Sequence, residues 1–126
     1  MAQPVILLGF ADTPQSAALR EQVERVAPGY RVLVTHDDDV VRAHLDDIEI
    51  AAGRMPREMM LSAPRLRWMQ QWGAGADWLL RAPEAAQAPF VLTNASGVHA
   101  QPIGEHIMAL LLALSRGLHR AMRAQA

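Results

Sequence analysis

The chain has no cysteine and no lysine; all twelve of its basic residues are arginine. Without cysteine there is no disulfide framework and no thiolate nucleophile. Without lysine, Schiff-base chemistry and the P-loop lysine are excluded outright. Charge of one sign is missing too: a net charge of −1 spread over 126 residues leaves no basic stripe for a nucleic acid. Long apolar runs are absent, the longest being the eight residues from Ile107 to Leu114, against the roughly 18 a membrane span requires. The N-terminus, Met1-Ala2-Gln3-Pro4, lacks the basic lead and cleavage site of a signal peptide, which points to the cytoplasm. No Ser-His-Asp or HExxH spacing occurs, and no internal repeat.

What is present is an alternation of short apolar runs and helical patterns. Val5-Ile6-Leu7-Leu8-Gly9-Phe10 is continuous, as in a strand buried on both faces of a parallel sheet. Thr13 suits a helix N-cap and Pro14 the first helical position, with Leu19, Val23 and Val26 forming an apolar stripe behind them. Tyr30 to Thr35, Asp47 to Gly53, Trp68 to Trp72 and Phe90 to Thr93 predict four further strands. Short helices are expected over Val40 to Leu45, capped by Asp39, and over Arg57 to Ala63. Pro102 opens a long helix running to about Arg123, apolar all round from Ile107 to Leu114. The fold class is therefore α/β: a flavodoxin-like five-stranded parallel sheet with helices on both faces, followed by a long apolar C-terminal helix. The domains expected are residues 1–100 and the helix of 101–126. The end, Ala124-Gln125-Ala126, has no capping glycine and reads as an interrupted chain.

The most informative stretch is Trp68-Met69-Gln70-Gln71-Trp72-Gly73-Ala74-Gly75-Ala76-Asp77. It predicts a strand, a turn in which Gly73 and Gly75 tolerate positive φ or a close neighbour, and a helix start capped by Asp77. Gly73-Ala74-Gly75 begins like a dinucleotide fingerprint, but Trp78 occupies the third glycine position. About twenty residues on, where an acidic ribose ligand belongs, stand Ser96 and Gly97. A smaller anion, such as a substrate carboxylate on the amides of Ala74 and Gly75, fits better. Arg54, at the expected C-terminal end of strand three, is either a second carboxylate ligand or a solvated surface charge. His99 follows strand five on the same sheet edge and is the histidine best placed for a ligand. His106 points about 100° away from its neighbour Glu105 on a helix, and His36, His44 and His119 have no convergent partner. The His36-Asp37-Asp38-Asp39 cluster reads as a solvated loop rather than a metal site, because adjacent residues rarely converge on one ion.

Trp68 to Asp77, Thr93-Asn94-Ala95-Ser96-Gly97-Val98-His99 and Ile103-Gly104-Glu105-His106-Ile107, in this order and spacing, resemble the NAD-dependent D-2-hydroxyacid dehydrogenases. The resemblance spans Asp47 to Arg120 and implies a substrate-domain portion of a two-domain enzyme. In it, the Ala74 and Gly75 amides hold the carboxylate of a small 2-hydroxy or 2-oxo acid, and His99 lines the cleft. Gly104 replaces the alanine usual before the helix glutamate. The resemblance further implies a homodimer through the helix from Ile103 to Leu118. The family's NAD fingerprint, catalytic arginine, acid/base histidine and glutamate lie beyond the matched motifs. NAD or NADP is thus expected in a full-length enzyme and none on this chain, which should be inert alone. The alternative is a stand-alone flavodoxin-like module for binding a small anion or for dimerisation.

Overall fold

The computed structural model describes residues 3–125. Five strands form one parallel sheet in the order β2-β1-β3-β4-β5, the 2-1-3-4-5 arrangement of flavodoxin-like folds. They are β1 (Val5–Gly9), β2 (Arg31–Val34), β3 (Ile48–Gly53), β4 (Trp68–Gln70) and β5 (Val91–Thr93). Helices α1 (Pro14–Val26), α2 (Asp38–Ala43) and α3 (Arg57–Ser62) make the first crossovers. The β4–β5 connection is built from two 3-10 stretches, Asp77–Arg81 and Pro83–Gln87, where the sequence suggested only a short helix start and a plain connection. Helices α4 (Ala100–Ser115) and α5 (Leu118–Ala124) follow.

Strand β1 is buried along its whole length, because both faces of the sheet are covered. Val5 and Leu7 join Ala51 and Met69 under Val41 of α2 and Met59 and Met60 of α3. Ile6 and Leu8 join Val32 on the opposite face, under Leu19 and Val23 of α1. Val26, expected on the same stripe, is 80% exposed at the last position of α1, and Ala27 packs against this cluster in its place.

Thr13 caps α1 as the sequence suggests. Its hydroxyl accepts from Ser16 N (3.2 Å), and the buried Ser16 hydroxyl accepts from Thr13 N (2.8 Å) while donating to Ala11 O (2.9 Å). That reciprocal pair is a capping box with serine in place of the usual glutamate. Helix α2 starts earlier than the sequence indicates: its cap is Asp37, whose carboxylate accepts from Asp39 N (2.9 Å), and not Asp39 itself. Asp37 wins because its extended backbone leaves its side chain facing the first orphan amides.

Two compact units divide between Ala95 and Ser96. The second comprises α4 and α5, and it corrects the expectation of one long helix from Pro102 to Arg123. Gly117 adopts φ +65°, a left-handed conformation that ends α4 and turns the chain into α5. No helix among the described residues is long and apolar enough to cross a membrane.

Candidate functional site

The glycine loop leaves β4 at the C-terminal edge of the sheet, beside the ends of β3 and β1. Neither Gly73 nor Gly75 has positive φ; the glycines that do are Gly53, Gly97 and Gly117. The expected turn geometry is therefore corrected: these two glycines do not serve a left-handed backbone. A Cβ on Gly75 would lie 3.4 Å from an Asp77 carboxylate oxygen, and one on Gly73 3.7 Å from the Gln71 amide nitrogen, both ordinary contacts. What the two glycines provide is bareness, with no side chain over the loop's amides. Nor does Asp77 cap the following turn. It is the first residue of the 3-10 stretch, and its carboxylate accepts from Arg81 Nη2 (3.1 Å).

The loop is held by its carbonyls. The Gln71 side-chain amide donates to Gly73 O (3.0 Å) and Gly75 O (2.5 Å), while its own oxygen accepts from Trp78 Nε1 (2.9 Å). Asn94 Nδ2, just past β5, donates to Ala74 O (2.9 Å). Three successive carbonyls are thus drawn onto side-chain donors. Among the described residues, no backbone or side-chain group accepts from the N–H groups of Gly73, Ala74, Gly75 or Ala76. Exposed amides with their carbonyls tied back present the positive ends of fixed peptide dipoles outward. Gln71 and Asn94 are the functional side chains that the sequence pattern did not single out. Their roles depend on which carbonyls fold back within reach, and spacing alone does not encode that.

Beside the loop lies an open cavity of about 220 Å³ lined by Arg54, Arg57, Gln71, Gly75, Asp77 and Trp78, with methionines as its floor. That volume suits a ligand smaller than the 300–1,000 Å³ typical of cofactor sites. Arg54 and Gly75 thus share one cavity. The Arg54 guanidinium, however, already makes a fork to Asp38, at 2.5 Å and 3.1 Å, and donates to His36 O at 3.0 Å. Arg54 therefore does have a carboxylate partner, and it belongs to the His36–Asp39 loop. The hydrogen bond from Arg54, then its charge, holds the Asp38 carboxyl below the usual carboxylate range. Because the folded value is depressed, the stabilisation is present above the ordinary carboxylate pKa and is lost as pH falls through the lowered one. In an NMR titration the Asp38 carboxyl carbon should respond at lower pH than an ordinary aspartate, and Arg54→Ala should return it to the usual range. An unchanged midpoint in the variant would contradict the pair.

His99 belongs to the second unit, at the N-cap position of α4, with no side-chain capping bond among the described residues. Arg54, Ala74 and Gly75 belong to the first.

Trp78, at the third position of the would-be fingerprint, is buried beneath the loop. At the crevice between β1 and β3, where this strand order reverses and flavodoxin-like folds take their ligands, two glycines allow close approach. A Cβ on Gly53 would fall 2.7 Å from Trp72 Nε1, and one on Gly9 2.0 Å from Arg54 O. Phe10 meets the Trp72 ring edge-on at 5.1 Å.

No protein-family model matches the chain, and no curated protein does. Among solved structures it is similar to phosphoglycerate dehydrogenase from Lactobacillus plantarum, at 30% sequence identity and a TM-score of 0.58. The match covers 96% of this chain and 38% of that one, so the chain spans well under half the length of the enzyme it resembles. Nearly all of this chain is therefore similar to part of a dehydrogenase.

Proposed function

We propose that the chain is the substrate-binding portion of an NAD(P)-dependent D-2-hydroxyacid dehydrogenase, in which the amides of Ala74 and Gly75 anchor the carboxylate of a small 2-hydroxy or 2-oxo acid. The observation carrying this reading is the loop whose carbonyls are tied to Gln71 and Asn94 while its amides find no acceptor among the described residues. The similarity to a phosphoglycerate dehydrogenase over 96% of the chain supports the dehydrogenase reading over a stand-alone module.

In this reading the chain's own residues bind and orient the acid. NAD or NADP supplies the redox chemistry from outside these residues, as the family resemblance implies. Arg54 has a secondary place, as a cavity wall whose charge Asp38 offsets.

An amide-resolved NMR titration tests the anchor. D-lactate at millimolar concentration should shift the Ala74 and Gly75 signals selectively; a flat titration at both would sink the reading. NAD should show no micromolar affinity by calorimetry, and tight binding would contradict the broken fingerprint at Trp78.

Self-association is a further part of the proposal. Ile103, Ile107, Leu110, Leu111 and Leu114 on α4, with Leu118 on α5, are all more than half exposed. A contiguous apolar surface of that extent marks an interface. Light scattering of the chain should give a dimer, and Leu111→Asp should shift it toward the monomer. A wild-type monomer at high micromolar concentration would refute the interface.

A further inference from the structure

The charges around the cavity beside the glycine loop do not cancel. Three charged side chains line it: Arg54, Arg57 and Asp77. Arg54 is engaged by Asp38, and Asp77 by Arg81. Arg57, at the start of α3, has no carboxylate partner among the described residues; its guanidinium lies over the Trp78 ring, 5.2 Å from the centroid. A cation–π contact holds the guanidinium near the indole without using its N–H donors on an oxygen, so they remain for a carboxylate or phosphate in a two-point fork. Trp78 is itself buried and held by Gln71 through its Nε1. The platform under Arg57 is therefore locked to the same glutamine that shapes the amide loop.

We infer that Arg57 is a specificity-determining residue that selects 2-hydroxy or 2-oxo acids bearing a second anionic group, a carboxylate or a phosphate, over those with one. This rests on the assignment of the first carboxylate to the Ala74 and Gly75 amides. The 220 Å³ cavity lies below the roughly 300–1,000 Å³ of drug-sized ligand sites, the scale of a small acid. An acid anchored at the loop by one end extends across a cavity whose uncompensated charge is the Arg57 cation. Its second anion then meets a pre-oriented donor, so little ordering cost opposes the fork.

Two matched pairs of probes test this with the whole chain: D-lactate against D-malate, which adds a carboxylate, and D-glycerate against D-3-phosphoglycerate, which adds a phosphate. Dissociation constants are read from the Ala74 and Gly75 amide shifts. In the wild type at least one dianion should bind about tenfold tighter than its monoanionic partner, and the pair that shows it identifies the second group. Arg57→Gln should bring that ratio near one, the dianion losing far more affinity than the monoanion. Arg57→Lys should keep part of the preference, and Arg25→Gln, a remote charge deletion on α1, all of it. Equal binding within both pairs, an Arg57→Gln chain that still discriminates, or an Arg25→Gln chain that loses as much would overturn the inference while the carboxylate anchor stands. If no acid moves the loop amides, the anchor itself fails and the inference goes with it.

Discussion

Gly9→Ala should lower the stability of the first unit by about 3 kcal/mol or more, the upper range for forcing an extra methyl into a packed site. For a chain of this size that is a fall of roughly 10–15 °C in the melting temperature. The cause is backbone, not side chain. Gly9 ends β1 in register with Gly53 of β3, and its carbonyl accepts from Arg54 N at 3.1 Å. A Cβ there would stand 2.0 Å from Arg54 O, 2.6 Å from its nitrogen and 2.7 Å from its carbonyl carbon. No rotamer change relieves an overlap with main-chain atoms, so β1 and β3 must separate at the centre of the sheet. Separation would strain the Arg54 turn, and with it the Asp38 fork and one wall of the cavity. Gly29→Ala is the matched control, because nothing lies within 4 Å of its would-be Cβ and its φ is not positive. Thermal melts by circular dichroism compare the two. A Gly9→Ala shift as small as that of Gly29→Ala would show that the strands do not approach this closely.

The contrast between Gly9 and the loop glycines shows what the sequence could and could not reveal. Periodicity located all five strands, because β1 must be apolar on both faces and β3 to β5 sit between turn-forming residues. The Thr13-Pro14 helix start was readable because capping depends on residues three apart. A glycine, by contrast, looks the same whether it serves positive φ, a close approach or an uncovered amide. Gly73 and Gly75 suggested the first and provide the third, while Gly9, lying inside an apolar run, serves the second. Gly117 stood in a helical pattern and marked the break that turned one expected helix into two. At the site, the loop and Arg54 were visible as motifs, but Asp38 as partner of Arg54 lies 16 positions away. Asn94 as partner of Ala74 lies 20 away. Contacts of that separation follow from strand order, which no local pattern specifies.

Gln71→Ala should weaken anion binding at the loop at least tenfold, and it tests that loop more sharply than any change to the loop itself. Gln71 is fixed at both ends: its backbone N donates to Thr93 O at 2.7 Å, continuing the β4–β5 pairing, and its side-chain amide is fully used. Truncation frees the Gly73 and Gly75 carbonyls and leaves the buried Trp78 indole N–H without its acceptor. The last loss costs about 1–3 kcal/mol of stability as an unsatisfied donor. Released carbonyls can rotate toward the anion, so the variant loses binding by loss of preorganisation as well as by disorder. Asn94→Ala frees only the Ala74 carbonyl among these three and leaves the Trp78 bond intact, so it should weaken binding less and barely move the melting temperature. Paired D-lactate titrations and thermal melts of both variants separate the two effects. Wild-type affinity in Gln71→Ala would mean that the amides are held by something other than this clamp. A melting loss without a binding loss would make Gln71 a support for Trp78 alone.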